Sequence, residues 1–75
     1  MSVRYHVIPW LDGTWRVRRY GARRATSVHS TQNEAVDQAR KLAKKDLTGG
    51  DVVIHGVDGT VRRWTTYGKR ALPSA

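Results

Sequence analysis

The sequence predicts a small α+β domain in which one helix packs on one face of an antiparallel sheet. The sheet has four to five short strands, and the chain order is β-β-(β)-α-β-β. Two Asp-Gly dipeptides, at residues 12–13 and 58–59, stand between alternating apolar and polar segments, which is typical of hairpins. Between the hairpins, residues 31–46 have apolar side chains at helical spacing. The whole chain has 75 residues, enough for a single hydrophobic core.

The first hairpin joins predicted strands at residues 3–10 and 15–20. The first strand is rich in β-branched and aromatic residues, and Pro9 marks its end or an edge position. The alternation of the second strand defines two faces. The face we expect to be inward has Trp15, Val17 and Arg19, and the outward face has Arg16, Arg18 and Tyr20. Residues 25–29 are a candidate third strand after a loop containing Arg23 and Arg24.

The helix is predicted to begin at a capping box formed by Thr31 and Glu34, whose side chains would bond each other's backbone N–H groups. We expect it to end at about residue 46, before Gly49-Gly50. One stripe is apolar and should face the sheet: Ala35, Val36, Ala39, Leu42 and Ala43. The opposite face is basic, with Arg40, Lys41, Lys44 and Lys45, and a solvated surface is the simpler interpretation of it.

The second hairpin is predicted to join strands at residues 51–57 and 60–67. Residues 1–68 then form one domain, and residues 69–75 form a flexible basic tail. In so small a core we expect Trp10, Trp15, Trp64 and several Val and Ile to do most of the filling. A symmetric homodimer would extend that core.

Charge is the leading functional signal, since the formal net charge is +8. The strands that leave the two Asp-Gly turns carry arginines, and we expect all six acids to lie in turns or on the helical segment. Arg matches phosphate oxygens and the guanine edge, and a two- or three-stranded sheet fits the major groove of DNA. Trp10 and Trp64 are candidates to stack among these arginines. The predicted nucleic-acid-binding residues are Arg16, Arg18, Tyr20, Arg23, Arg24, Arg62 and Arg63.

Catalytic and metal-binding chemistry has little support in the sequence. There is no cysteine, and the spacing of His6, His29 and His55 fits no metal-ligand motif. No serine lies in a nucleophile elbow. We therefore expect no enzyme activity, no metal and no cofactor. His6 and His55 are instead expected to be partners across neighbouring strands.

Membrane insertion and export have no support either. No apolar run approaches membrane-spanning length, and residues 1–4 lead into too short an apolar stretch for a signal peptide. We expect a cytoplasmic protein of a bacterial cell or of a phage-infected host.

Part of the chain resembles a known DNA-binding domain. Residues 12–18 (Asp-Gly-Thr-Trp-Arg-Val-Arg) and residues 30–35 (Ser-Thr-Gln-Asn-Glu-Ala) resemble the arm-type DNA-binding domain of tyrosine recombinases. That domain is an AP2-like, three-stranded sheet backed by a helix, and the likeness covers about residues 5–46. It implies that Arg16 and Arg18 face the bases of the major groove.

Nearly the whole chain resembles a small uncharacterised family of bacterial and phage proteins. The matching segments are His6-Val7-Ile8-Pro9, a Gly-x-Trp-x-Val strand, a Thr-x-x-Glu-Ala helix start, and residues 53–59 (Val-Ile-His-Gly-Val-Asp-Gly). This family is known as a domain of unknown function, so the resemblance implies no activity.

From the sequence we expect a non-enzymatic nucleic-acid-binding protein that contacts double-stranded DNA through an Arg- and aromatic-bearing sheet face. The alternative is a protein-interaction module, for example a phage-encoded modulator, that binds an acidic host protein. Both explain the charge of +8.

Overall fold

The computed structural model describes residues 3–46 and 49–68. Its elements are β1 (Val3–Pro9), β2 (Trp15–Arg19), β3 (Ser27–His29), α1 (Gln32–Lys45), β4 (Gly50–His55) and β5 (Val61–Tyr67). This confirms the predicted α+β class, the element order and the optional third strand. The predicted tail, residues 69–75, lies outside the described residues. No helix in the described part is long and apolar enough to cross a membrane.

The strands form one five-stranded sheet in the order β3-β2-β1-β4-β5. The pairs β1–β2, β2–β3 and β4–β5 are antiparallel, as predicted. The central pair β1–β4 is parallel, with Val3 opposite Gly50 and Val7 opposite Ile54, so the expectation of an entirely antiparallel sheet is wrong there. The reason is the connection: α1 carries the chain back across the sheet, and such a crossover joins parallel strands. Both hairpin turns therefore lie at the same end of the sheet.

The two hairpins reverse at Asp-Gly through the same contacts. In the first turn the N–H of Trp10 donates to the carbonyl of Thr14 (2.8 Å), and Gly13 has a φ of 87°. The Asp12 carboxylate accepts from both the N–H (3.0 Å) and the hydroxyl (2.6 Å) of Thr14. Residues 56–60 repeat each of these contacts in the second turn. The repeated sequence motif is thus a repeated turn structure.

The start of α1 confirms half of the predicted capping box. The hydroxyl of Thr31 accepts from the N–H of Glu34 at 3.2 Å. The Glu34 carboxylate, however, accepts from the hydroxyl of Ser30 at 3.2 Å instead of returning to the backbone of Thr31. At the other end Gly49 has a φ of 85°, and its N–H donates to the carbonyl of Asp46 at 3.0 Å, which turns the chain into β4.

The core lies between α1 and one face of the sheet, and it consists of small residues. Its fully or almost fully buried members are Val7, Val17, Ala35, Ala39, Ala43 and Val52. Trp15 packs against this core, but Trp10 is 47% exposed and Trp64 is 51% exposed. The expectation that three tryptophans fill the core is therefore wrong for two of them. Alanines on the helix let it approach the strands closely, which leaves less volume to fill.

No helix covers the other side of the sheet in the described part of the chain, and we call this side the open face. Strand pairing places His6 opposite Arg18 and Val53, Ile8 opposite Arg16, Arg4 opposite Asp51, and Val53 opposite Trp64. The open face is defined here by these residues together with Tyr20 and His55. Val53 is nevertheless fully buried, so the side chains around it form a second, thin layer of their own.

Candidate nucleic-acid interface

The two central arginines of the predicted site lie on the open face. Arg16 and Arg18 alternate with Val17, which is buried under α1, so they project from the opposite side of β2. This confirms the strand parity assigned from the sequence. Arg19 has the parity of Val17 and lies on the helix side of the sheet, where it remains exposed.

Arg4 is a member of this face that the predicted site did not include. Its guanidinium lies between two aromatic rings, 5.0 Å from the centroid of Tyr20 and 4.7 Å from that of Trp64. Each such contact is attractive because the ring face carries negative charge density. The alternation of residues 3–10 places Arg4 and His6 on one face, and this pattern was sufficient to place Arg4 there from the sequence. Tyr20, which was in the predicted site, therefore holds an arginine as well as lying beside the others.

Asp51 brings a carboxylate to the open face. It lies within β4, so the expectation that every acid occupies a turn or the helical segment is wrong at this position. Its carboxylate accepts a hydrogen bond from the indole N–H of Trp64 at 3.1 Å. Trp64 is thereby fixed over Arg4, and the acid helps to order the basic surface.

Arg16 is held in a similar way at the turn end of the sheet. Its guanidinium lies 4.2 Å from the centroid of Trp10, and one terminal nitrogen is 3.8 Å from the Asp12 carboxylate. Hydrogen bonds from Thr14 lower the pKa of Asp12, with a smaller contribution from Arg16, so that carboxylate stays ionised. The Nε atoms of Arg4 and Arg16 are buried and have no hydrogen-bond partner within the described residues. Each of these guanidinium groups thus has a donor that lacks an acceptor.

The loop arginines join the same cluster. Arg23 and Arg24 line a cleft of about 280 Å³ together with Trp10, Arg16 and Arg18. The loop after β2 therefore brings two further cations beside the strand arginines. Of the predicted residues, this cluster contains Arg16, Arg18, Arg23 and Arg24, with Tyr20 at the neighbouring contact to Arg4.

Neither of the two arginines of β5 lines this cleft. Arg63 pairs with Ile54, whose side chain packs against the core beneath α1, so Arg63 lies on the helix side of the sheet. Arg62 falls at an irregularity in the β4–β5 pairing, and its side chain lies against Gly56. Adjacent residues of a strand point to opposite faces, so the prediction that grouped Arg62 and Arg63 on one face is wrong for Arg63.

A histidine pair occupies the middle of the open face. Nδ1 of His6 and Nε2 of His55 are 2.8 Å apart, and the two rings stack with centroids 5.0 Å apart. This confirms that the two residues are partners across neighbouring strands. Both line a cleft of about 600 Å³ with Arg18 and Tyr20. Burial lowers the pKa of His6, and the nearby His55, Arg4 and Arg18 lower it further, so His6 is neutral at pH 7.

Apolar side chains cluster where the two hairpin turns meet. Pro9, Trp10, Leu11 and Val57 line a groove of about 490 Å³. Leu11 is fully exposed and Val57 is 89% exposed. We call these four residues the tip patch. It exists because the parallel pairing of β1 with β4 places both turns side by side.

The chain is similar to known proteins of bacteria. Residues 5–67 match the family described as an uncharacterized protein conserved in bacteria, DUF2188. The uncharacterized protein YdaT of Bacillus subtilis (strain 168) is 35% identical over 63 residues, which is 84% of this chain and 40% of YdaT. The chain thus spans well under two thirds of that relative. No solved structure matches it significantly.

The family match includes both Asp-Gly hairpins and the intervening helix. The comparisons do not show the resemblance of residues 5–46 to the arm-type domain of tyrosine recombinases, which stays an expectation. The match covers most of the chain, and the resemblance seen in the sequence to an uncharacterised bacterial family is confirmed. The chain therefore belongs to DUF2188, a family of uncharacterised proteins conserved in bacteria.

Proposed function

We propose that this protein binds nucleic acid, specifically duplex DNA, through the open face, and that it catalyses no reaction. The observation that carries the proposal is the convergence of arginines on one side of a sheet whose other side is covered by a helix. The converging residues are Arg4, Arg16, Arg18, Arg23 and Arg24. The acids close to them are engaged, Asp12 with Thr14 and Asp51 with Trp64. The cytoplasm of a bacterial cell is the compartment that this function requires.

The way the arginines are held supports binding. Arg4 and Arg16 lie on aromatic rings, so part of the conformational entropy that an arginine loses on binding is already lost in the free protein. A guanidinium binds phosphate or the guanine edge through two parallel N–H groups. A phosphate oxygen on the Nε side of either group would supply the missing acceptor once a side-chain movement exposes that atom.

The width of the sheet indicates how a duplex would lie. At a spacing of about 4.8 Å, five strands span about 19 Å, whereas the major groove is about 12 Å wide. Three strands span about 10 Å and fit the groove. We therefore assign the groove contact to β3, β2 and β1, with Arg16 and Arg18 toward the bases. Arg4 and the β4–β5 half would then lie against the flanking phosphate backbone.

The second candidate function is binding of an acidic protein, and the tip patch is the observation that favours it. Exposed apolar groups such as Leu11 and Val57, next to basic residues, are typical of a protein interface with a charged rim. This surface lies at the end of the sheet, whereas the arginine cluster lies on its face. Substitutions can therefore distinguish the two functions.

The test compares two neighbouring arginines on opposite faces. Arg18→Ala removes a charge from the open face, and Arg19→Ala removes the same charge from the helix side. Both residues are exposed, so neither substitution should change the free energy of unfolding by more than about 0.5 kcal/mol. If Arg18 touches a base edge, its loss weakens duplex binding by about 1–3 kcal/mol, and Arg19→Ala has much less effect. Fluorescence anisotropy with a labelled duplex measures both affinities.

Salt dependence provides the second measurement. About five phosphate contacts give a slope of log affinity against log salt of roughly −4 to −5. A flat salt response, or no binding at low salt with micromolar protein, contradicts DNA binding. Equal losses for Arg18→Ala and Arg19→Ala would indicate diffuse electrostatic attraction without a defined face. Leu11→Ser alters the tip patch alone and should leave duplex affinity unchanged. If this variant no longer binds an acidic partner protein that the wild-type chain binds, the second function is favoured.

A further inference from the structure

The histidine pair is placed beside a cleft that carries positive charge. His6 comes from β1 and His55 from β4, and both rings line the cleft of about 600 Å³ that Arg18 and Tyr20 also line. The contact between Nδ1 of His6 and Nε2 of His55, at 2.8 Å, requires one of these nitrogens to carry a proton and the other to accept it.

The surroundings favour one arrangement of protons. Nδ1 of His55 lies 3.5 Å from the carbonyl oxygen of Gly59, which can only accept, so we assign a proton to that nitrogen. Nε2 of His55 is then the acceptor, and Nδ1 of His6 is the donor. The remaining basic nitrogen of the pair is Nε2 of His6. An added proton at this position makes the pair cationic and provides a new N–H donor.

We propose that this cleft binds a phosphodiester anion and that the His6–His55 pair takes up one proton when it does so. The inference rests on the proposed function for the source of the anion, the backbone of a nucleic acid, but a free phosphodiester offers the same chemistry. In the free protein a cationic pair is disfavoured, because His6 is partly buried and because the positive Arg4 and Arg18 lie close to it. A bound anion compensates that charge and makes the added proton favourable.

The other groups near the pair fit this assignment. Arg4 of β1 and Arg18 of β2 lie close to His6, and Tyr20 lines the cleft just after β2. The side chain of Arg62, from β5, lies against Gly56 at the wall of the cleft. Two acids are near the same region. Asp51 is bonded to Trp64, and Asp58 is bonded to Thr60, whose hydrogen bonds lower the pKa of Asp58. Both acids are therefore engaged, and histidine is the type of side chain whose ordinary pKa lies between pH 5 and 8.

The experiment measures duplex affinity at pH 7.5, 6.5 and 5.5 at fixed salt, because a phosphodiester keeps one charge over this range. If one proton is taken up, affinity rises by up to about tenfold per pH unit as the pH falls. The variant His6→Asn should lose most of this rise. The matched control is His29→Asn. His29 lies in β3 opposite Trp15 of β2, on the helix side of the sheet, and its ring is hydrogen-bonded to Ser27. This control should keep the whole rise.

A second measurement uses the wild-type chain, so it does not depend on a variant folding. NMR titration of the histidine ring signals, without and with dimethyl phosphate, should show a higher pKa for His6 when the anion is present. Duplex binding that is independent of pH, with no change in the ring pKa, would overturn the inference while leaving DNA binding intact. Absence of duplex binding, together with a raised ring pKa in dimethyl phosphate, would contradict the proposed function and support this site. Loss of the pH response in His29→Asn would overturn the assignment to the open face.

Discussion

Gly50→Ala tests the close approach of the helix to the sheet. A Cβ atom at position 50 would lie 3.0 Å from Cβ of Ala43, 3.1 Å from Cα of Ala43 and 3.1 Å from the carbonyl oxygen of Val3. Carbon atoms pack favourably at about 3.5–4.0 Å, so α1 must retreat from β4 by about half an ångström. Two of the three contacts are with backbone atoms, which cannot turn aside as a side chain does. Ala43 is fully buried, so the retreat disturbs the centre of the core.

The expected cost follows from this overlap. Overpacking of a tight core destabilises by about 1–3 kcal/mol, and in a domain of this size each kcal/mol lowers the Tm by about 4–8 °C. The matched control is Gly68→Ala, because nothing lies within 4 Å of a Cβ at that position. Both variants reduce the entropy of the unfolded chain equally, so the difference between them isolates the steric term. Thermal and urea unfolding measure it, and a Gly50→Ala protein as stable as the control would refute the described helix–sheet packing.

Two further predictions concern pH and association. The pKa of His6 is lowered by folding, so between its folded value and the unfolded 6.5 the unfolded state binds more protons. The free energy of unfolding should therefore fall as the pH decreases through 6.5. In urea unfolding, His6→Asn should remove most of this decrease. A variant that keeps the full decrease would contradict its assignment to His6. A symmetric homodimer formed by strand pairing or hairpin exchange stays a prediction, with the edge strand β5 and its half-exposed Val61 as the candidate contact. Light scattering over a range of concentrations checks it, and a monomer mass at the highest concentration would end it.

Local sequence signals were sufficient for the elements of this fold. The Asp-Gly dipeptides, Thr31 and Gly49 each act within a few residues of their own position, and each is where the sequence placed it. Alternation within β2 likewise assigned Arg16 and Arg18 to one face, because a strand has a period of two whatever its partner is.

The features that the sequence did not reveal depend on distant partners. The parallel pairing of β1 with β4 requires knowledge of where α1 returns the chain. Trp64 looked like a core residue because it is large and apolar, but on this face it covers Arg4 and bonds Asp51. The irregularity beside His55 leaves Arg62 without a partner in the register of β4 and β5, which strand alternation does not anticipate.

The parallel seam between β1 and β4 also has a consequence for how the chain folds. Each hairpin closes a short loop at its Asp-Gly turn and can form within microseconds. The pairing of β1 with β4 brings Val3 opposite Gly50, which is far away along the chain. The loop between them must therefore close before any hydrogen bond between these two strands can form. The two hairpins are therefore expected to form early, and the docking of one against the other under α1 sets the rate of folding. Until that step both central strands have an unpaired edge, which is open to pairing with another chain.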